Sequence, residues 1–210
     1  MDNIRNIYRE AFKKHGDSSD SVLWPKGRQE LRFKNLLSSC KYTQGMKILD
    51  YGCGLAHLKP FVDNIFPGNL YYGADCLSEF ITYNRSNYPQ NDFFLVESPE
   101  EIPESFDISI ASGVFNISFS EDCSKNEDLV FKLIEQLYSK TEYQLVFDMM
   151  TDKVDFQQDG AYHQNISKLI EFISSNLSKR YTINHSYMPF EFSVSIWKKD
   201  DISPETNTFI

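Results

Sequence analysis

Two glycines one residue apart follow an apolar run and an acid in the segment ILDYGCGLAHL, residues 48–58. Gly52 and Gly54 would let a ligand approach backbone that a side chain would otherwise cover. Asp50 stands two residues before Gly52. In a dinucleotide-binding fold such a turn receives a pyrophosphate at a helix N-terminus, and a carboxylate so close would oppose that anion. The segment therefore favours a ligand that carries positive charge.

A second acid, Asp75, closes the next apolar segment, LYYGAD. A carboxylate at the end of a second strand can accept hydrogen bonds from both hydroxyls of a ribose. The two acids together predict a ligand with a ribose, a cationic group and no bridging phosphates, a description that S-adenosylmethionine fits. Both acids also have a structural interpretation, because Asp50 could bind the amides of the glycine turn and Asp75 could cap the next helix.

The elements that must position these residues follow from the apolar pattern. Buried strands separated by amphipathic helices are typical of a parallel sheet that is covered on both faces. Two strictly alternating runs near the end, 181–187 and 190–196, predict an antiparallel pair. We therefore expect an α/β, Rossmann-like fold whose seven-stranded, mostly parallel sheet ends in a closing antiparallel β-hairpin, with helices on both faces. The predicted parallel strands are KILD, LYYGAD, FFLV, FDISIAS and YQLVF, and helical spacing covers 55–65, 129–137 and 166–177.

The N-terminal part has a different pattern and predicts a helical cap over residues 1–44. One amphipathic helix is expected over about residues 2–14. A second, over about 27–39, begins near Pro25, as helix entry prefers. The α/β domain is expected over 45–200, and residues 201–210 are expected to form a flexible tail. The second helix is predicted to place Leu31, Phe33, Leu36 and Leu37 inward.

The segment DYGCGLA resembles the glycine-rich motif of class I S-adenosylmethionine-dependent methyltransferases, whose usual form is acid-x-Gly-x-Gly-x-Gly. Ala56 stands where the third glycine often stands. The resemblance extends over residues 45–198 and includes GAD at 73–75, VESPEEIP at 96–103 and FDISIASGVFNI at 106–117. It implies S-adenosylmethionine as the cofactor. The implied cofactor-binding residues are Asp50, Gly52, Cys53 and Gly54 in the turn, Asp75 on the ribose, Cys76, Glu97 and Ser98 on the adenine, and Ser112 near the methionyl part.

The segment VLWPKGRQELRF, residues 22–33, gathers basic side chains just before the α/β domain. In related methyltransferases an N-terminal segment folds over the cofactor, and a basic residue there often pairs with its carboxylate. Arg28 is the candidate, because a guanidinium binds a carboxylate through two hydrogen bonds. A solvated basic helix face is the alternative. The segment also contains Trp24, Lys26 and Arg32.

Tyr162 and His163, in DGAYHQN, are the predicted catalytic residues. They follow the fifth strand, where class I enzymes commonly build the acceptor pocket, and we expect them at the start of a helix. His163 could take a proton near neutral pH, although a helix cap or a surface position would also suit it. A base matters only if the acceptor must lose a proton, because methyl transfer depends mainly on orientation and exclusion of water.

No metal is predicted. Asp148 and Asp152 follow the fifth strand, but a magnesium site would need further oxygen ligands that the sequence does not supply at recognisable positions. Cys40, Cys53, Cys76 and Cys123 lack zinc-like spacing. The segment YMPFEF, with Phe115 and Phe119, could line an acceptor pocket, although core packing is the better explanation for most of these aromatic residues.

The charge and composition of the chain limit the classes of partner that it is expected to bind. Lys and Arg total 21 against 30 Asp and Glu, a formal net charge of -9. Such a surface repels a phosphate backbone, and the N/D-P-P-Y/F motif of enzymes that methylate amide or base nitrogens is missing. No apolar run reaches the length of a membrane span, and the first residues lack the apolar centre of a secretory signal. We expect a cytoplasmic protein with a small-molecule partner, and the oligomeric state stays open.

The leading hypothesis is a methyltransferase that acts on oxygen or nitrogen of a small molecule. Similarity to bacterial methyltransferases of surface-saccharide pathways implies a saccharide or its precursor as the acceptor. An NAD(P)-dependent oxidoreductase with a Rossmann fold is one alternative, disfavoured by Asp50 and by the absence of a Tyr-x-x-x-Lys pair. A non-catalytic S-adenosylmethionine-binding protein is another, although the first-motif residues look intact.

Overall fold

The computed structural model of the protein describes residues 2–23, 28–118, 122–157 and 160–198. Trp24, Lys26, Phe119 and the tail at 201–210, all singled out in the sequence, lie outside these ranges. The helices are α1 (Asp2–His15), α2 (Arg28–Ser38), α3 (Lys59–Ile65), α4 (Ser78–Asn87), α5 (Cys123–Ser139) and α6 (Ile166–Phe172), which continues as a π-helix, Ile173–Leu177. The strands are β1 (Lys47–Tyr51), β2 (Leu70–Asp75), β3 (Asp92–Leu95), β4 (Phe106–Ala111), β5 (Thr141–Met150), β6 (Tyr181–Met188) and β7 (Glu191–Trp197).

The seven strands form one sheet in the order β3-β2-β1-β4-β5-β7-β6. Strands β1 to β5 pair in parallel, whereas β7 is antiparallel to both β5 and β6. The predicted sheet and its closing hairpin are therefore confirmed. The chain reverses its direction of winding between β1 and β4, and ligands of open α/β sheets bind beyond the carboxyl ends of the strands at such a point.

Both faces of the sheet are buried, as the continuous apolar strands predict. Neighbouring residues of β1 face opposite ways, so that Ile48 packs under α2 and α3 while Leu49 packs under α5 and α6. The α2–α3 face also contains Phe33, Leu58, Ile110 and Val146, and the α5–α6 face also contains Phe106, Val130, Phe147 and Leu169.

Three expectations about helices need correction. Leu31 is 44% exposed, because the buried stripe of α2 runs through Arg32, Phe33 and Leu36 instead. The helix expected from residue 55 begins at Lys59, because residues 55–58 form a turn. Helix α4 was not predicted, since its polar sequence, SEFITYNRSN, shows only a short apolar stripe.

Candidate functional site

The glycine turn after β1 adopts left-handed backbone at both glycines, with φ of 72° at Gly52 and 52° at Gly54. The backbone N–H of Gly52 donates to the Ala74 carbonyl at 2.7 Å, which fixes the turn beside β2. A Cβ atom on Gly52 would lie 2.4 Å from Cγ2 of Val114, in the loop after β4. Position 52 therefore requires glycine, both for its backbone conformation and for this contact.

Ala56 also has a left-handed backbone, with φ of 56°, at the place of the third glycine in the usual motif. Its side chain is fully buried in the core on the α2–α3 face. An L-residue in this conformation costs about 1 kcal/mol relative to glycine. Because buried packing holds it there, the turn is shaped by its surroundings and not by glycine alone.

Asp75 joins the glycine turn to α4. Its Oδ2 atom accepts a hydrogen bond from the Gly54 N–H and its Oδ1 atom from the Leu77 N–H, both at 2.9 Å. Leu77 is itself the N-cap residue of α4, so Asp75 does not cap the helix; its carboxylate binds the N–H of the residue at which the helix begins. Each carboxylate oxygen has a second acceptor position, which leaves capacity for ribose hydroxyls. Burial raises the pKa of Asp75, while the two backbone hydrogen bonds lower it.

Asp50 is 3% exposed and accepts a hydrogen bond from the Tyr71 hydroxyl at 2.6 Å. Burial raises the pKa of Asp50 to about 7, the Tyr71 hydrogen bond opposes the shift, and the charge of Asp75 adds to it. A desolvated carboxylate of this kind gains most from a nearby cation. Asp50 is thus a desolvated carboxylate beside the glycine turn, and its role toward a positively charged ligand stays a prediction.

Asn84, on α4, hydrogen-bonds the glycine turn and was not predicted from the sequence. Its side chain is fully buried and its Nδ2 atom donates to the Gly54 carbonyl at 2.8 Å. The available signal was an asparagine spaced three and four residues from the apolar Ile81 and Phe80, on the buried stripe of α4.

Asp148, at the end of β5, was considered only as a metal ligand in the sequence, yet it holds the loop after β4. Its Oδ2 atom accepts a hydrogen bond from the Ser112 hydroxyl at 2.7 Å, and its Oδ1 atom accepts one from the Gly113 N–H at 2.8 Å. The side chain is fully buried. Burial raises the pKa of Asp148, and the charge of Arg32 and the Ser112 and Gly113 hydrogen bonds lower it.

Arg32, on α2, forms a buried ion pair with Glu191 of β7. The guanidinium donates through Nε and Nη2 to both carboxylate oxygens, and the two side chains are 7% and 6% exposed. Arg28, one turn earlier, is exposed, and its pairing with a cofactor carboxylate stays a prediction.

The residues implied for the adenine end line the carboxyl edges of β2 and β3. Cys76 is exposed, Ser98 is half-buried, and Glu97 pairs with Arg5 of α1. Burial raises the pKa of Tyr8, on α1, to about 12, and the charge of Asp75 adds to the shift. Helix α1 therefore covers this end of the site.

Residues 2–23, which we call the N-terminal strap, dock across the turn and α4. The ring of Phe12 packs edge-on against Phe80, with centroids 5.4 Å apart. The carboxylate of Asp17 contacts both His57 Nε2 and the Tyr83 hydroxyl at 2.7 Å. The strap thus packs against α4 and contacts His57, which closely follows the glycine turn.

A cavity of about 30 Å³ lies between the strap, α2 and the glycine turn. That volume accommodates about two water molecules, far below the several hundred Å³ of ordinary ligand pockets. A nucleoside does not fit this space as it stands, so binding there would require lining side chains such as Val22 of the strap or Gln29 and Phe33 of α2 to move. The cavity is lined by the predicted residues Asp50, Gly52, Cys53, Gly54 and Ser112, together with Val22, Gln29, Phe33 and His57.

Tyr162 and His163 precede α6 by a few residues, because that helix begins at Ile166 with Asn165 as its N-cap. Tyr162 is buried in the core on the α5–α6 face, and its hydroxyl donates to Gln164 at 2.9 Å. The Nδ1 atom of His163 lies 3.0 Å from the Thr151 carbonyl. Their catalytic roles stay predictions.

The part of the chain that the structure describes contains neither a metal-binding cluster nor a membrane-spanning helix. Among the described residues, no three His, Cys, Asp or Glu side chains are grouped so that they could hold a metal ion. None of the described helices combines the length and apolar character that crossing a membrane requires.

No protein-family model matches the chain, and no curated protein is similar to it in sequence. Solved structures do match. Magnesium protoporphyrin IX methyltransferase (ChlM) from Synechocystis PCC 6803, crystallised with SAH, superposes with a TM-score of 0.63 at 14% identity, covering 94% of this chain and 95% of that one. The plantazolicin methyltransferase BpumL, in complex with a triazolic desmethylPZN analog and SAH, gives a TM-score of 0.62 at 13% identity, covering 94% of this chain and 98% of that one. A SAM-dependent methyltransferase from Aquifex aeolicus gives 0.60 at 15% identity, covering 85% and 96%.

The chain has the class I S-adenosylmethionine-dependent methyltransferase fold. In this methyltransferase fold the glycine turn, Asp50, Asp75 and Ser112 lie at one sheet edge, as the sequence predicts. The acids of β1 and β2 are neighbours there because those strands pair in register, Asp50 beside Gly73.

Proposed function

We propose that the protein is an S-adenosylmethionine-dependent methyltransferase that acts on oxygen or nitrogen of a small molecule. The observation that carries the proposal is a pair of carboxylates, the buried Asp50 and the half-buried Asp75, beside a bare glycine turn at the carboxyl ends of the strands of a sheet whose β7 is antiparallel. The matching methyltransferases ChlM and BpumL, both crystallised with SAH, support it.

The chemistry of the donor set fits this cofactor. Asp50 has its pKa raised by burial, and no cationic side chain contacts it among the described residues. Its charge therefore favours the amino and sulfonium groups of the cofactor. Asp75 would accept the ribose hydroxyls, and Cys76, Glu97 and Ser98 would meet the adenine. A pyrophosphate beside Asp50 and Asp75 would instead be repelled.

When bound, the cofactor supplies an activated methyl group, and the residues of the chain orient that group and exclude water from it. The turn and the loop at Ser112 orient the donor, and the docked strap excludes water from it. Residues 1–44 act in this proposal as a cap on the domain at 45–200. An acceptor that must lose a proton would use His163, with Tyr162 beside it, and Arg28 would pair with the cofactor carboxylate.

For the acceptor we propose a small molecule, with a saccharide or its precursor as the specific candidate implied by the family resemblance. The formal net charge of -9 disfavours nucleic acid. Incubating metabolite extracts with methyl-labelled S-adenosylmethionine, followed by mass spectrometry, identifies the labelled product. Label in a sugar supports the saccharide; label in nucleic acid or protein contradicts the small-molecule proposal.

Calorimetric titration tests the cofactor directly. We expect S-adenosylmethionine and its product S-adenosylhomocysteine to bind with micromolar dissociation constants, about -8 kcal/mol, and NADH not to bind. Tight NADH binding without S-adenosylmethionine binding would overturn the proposal in favour of an oxidoreductase. Cofactor binding with no methyl transfer across a broad acceptor panel would favour a non-catalytic binding protein.

A further inference from the structure

We propose that Asp148 is a specificity-determining residue of the proposed cofactor site: its buried carboxylate favours the sulfonium form of the cofactor over the uncharged thioether product. The inference rests on the proposed function. It concerns a residue outside the glycine motif, on the strand beyond the winding reversal.

Position is the first argument. Ser112 lines the cavity beside Asp50 and the glycine turn. Its hydroxyl donates to Asp148 at 2.7 Å, so the carboxylate lies one hydrogen bond behind the cavity wall. Asp148 and Val146 occupy the same face of β5, and Val146 belongs to the core on the α2–α3 face, where the cavity also lies.

Charge is the second argument. The guanidinium of Arg32 donates two hydrogen bonds to Glu191, and its charge also acts on Asp148, so these three groups together carry one net negative charge when both carboxyls are ionised. Within the described ranges, the hydrogen bonds to the Asp148 carboxylate come from neutral donors, the Ser112 hydroxyl and the Gly113 N–H, with Asn116 Nδ2 at 3.5 Å. Its negative charge is therefore only partly compensated in a setting where water does not screen it.

Constancy of that charge is the third argument. Burial raises the pKa of Asp50 to about 7, so its carboxylate is only partly ionised at neutral pH. Burial and the charge of Glu191 raise the pKa of Asp148, and the charge of Arg32 and the hydrogen bonds of Ser112 and Gly113 lower it. Three interactions therefore favour the ionised form of Asp148, whereas only the Tyr71 hydrogen bond lowers the pKa of Asp50.

The two cofactor forms differ by one positive charge at sulfur. A fixed negative charge behind the wall adds to the affinity of the donor and adds nothing to that of the product. Such a difference lets the donor replace the product after each turnover, because the product leaves a site that has lost part of its attraction.

The test compares S-adenosylmethionine with S-adenosylhomocysteine by calorimetry at pH 7.5 in the wild type and in Asp148→Asn. The asparagine keeps both contacts, because its oxygen accepts from the Gly113 N–H and its amide can donate to the Ser112 oxygen. We expect the dissociation constant of S-adenosylmethionine to rise about fivefold to tenfold and that of S-adenosylhomocysteine to change less than about twofold. A thermal melt verifies the fold of each variant.

Asp107→Asn is the matched control. Asp107 lies near the opposite end of β4, where its carboxylate accepts from the Lys47 N–H at 2.7 Å, and neither affinity should change. Equal weakening of both ligands by Asp148→Asn, or no change for either, overturns the inference. A wild type that binds neither ligand refutes the proposed function instead, which is a separate result.

A second variant keeps the inference falsifiable if Asp148→Asn does not fold. Asp50→Asn removes the other carboxylate and keeps the Tyr71 contact through its oxygen. We expect this variant to retain more than half of the wild-type preference, in free energy, for S-adenosylmethionine. Complete loss of the preference would assign it to Asp50 and overturn the role of Asp148.

Discussion

Two acidic side chains at the carboxyl ends of the strands each combine a structural contact with a proposed role in binding. Asp75 joins the glycine turn to the residue that begins α4 and is the proposed ribose ligand; Asp50 is held by Tyr71 and lines the cavity. The sequence predicts both acids because each follows a recognisable strand. It gives no comparable signal for Asp148, whose partners Ser112 and Gly113 lie in the loop after β4 and become its neighbours only when β4 pairs with β5.

Replacing Asp75 with alanine should weaken S-adenosylmethionine binding at least tenfold, about 1.4 kcal/mol, since the ribose acceptors are lost and the Gly54 N–H is left without its partner. Calorimetry measures the effect. Asp92→Ala, an exposed carboxylate at the start of β3, is the control and should leave affinity unchanged. An unaltered dissociation constant in Asp75→Ala would remove this residue from the site.

Asp50 gives the protein an unusual dependence of stability on pH. Its carboxyl has a pKa of about 7 in the folded protein against 3.8 in the unfolded chain, so between these values the folded state binds more protons. The free energy of unfolding should therefore fall as pH rises from 4 to 7, with a contribution of up to about 1.4 kcal/mol per pH unit. Urea denaturation across this range measures it. The slope should be smaller in Asp50→Asn; an identical slope would contradict the raised pKa.

Helices and strands differ in how well the sequence predicts them. The predicted parallel strands and hairpin are confirmed. Their apolar patterns are visible in consecutive residues and extend over most of each strand. Helix α4 was missed because its buried stripe includes the polar Asn84 beside Phe80 and Ile81. The inward position assigned to Leu31 was wrong because the neighbouring Arg32, a charged residue, occupies the buried face in its place.

The strap should control how fast the cofactor enters. Phe12→Ala removes the ring that packs against Phe80 and Tyr83, which should weaken docking by about 1.5 kcal/mol and speed S-adenosylmethionine association about tenfold. Stopped-flow binding measures the rate, and hydrogen exchange should rise across 2–15. Ile7→Ala, on the same helix but 48% exposed, is the control. An association rate equal to that of the wild type would show that the strap does not limit entry.

Across the whole molecule, contacts between distant segments decide what the sequence cannot show. Arg32 and Glu191 are 159 positions apart, yet they form the buried pair that joins α2 to β7. The basic segment at 22–33 indicates a function for its arginines, but nothing local reveals which one faces solvent. The cover that the strap places over Asp75 is equally long-range, since Arg5 meets Glu97 across 92 positions.

Glu191→Gln should destabilise the protein by about 3–5 kcal/mol, because it leaves the Arg32 guanidinium buried without its carboxylate. Urea denaturation gives the free energy of unfolding. Glu30→Gln, which removes an exposed partner of Lys34 on the same helix, should cost less than about 0.5 kcal/mol. A loss for Glu191→Gln as small as that of the control would mean that the buried pair contributes little.

The size of the cavity has a kinetic consequence. If S-adenosylmethionine binds beside the glycine turn as proposed, a space for about two water molecules must open first, and donor arrival and product departure both wait for that motion. Any free energy that holds the strap shut is subtracted from the observed affinity, because only the open fraction of molecules can bind. Movement of the strap, and not transfer of the methyl group, would then limit the turnover number.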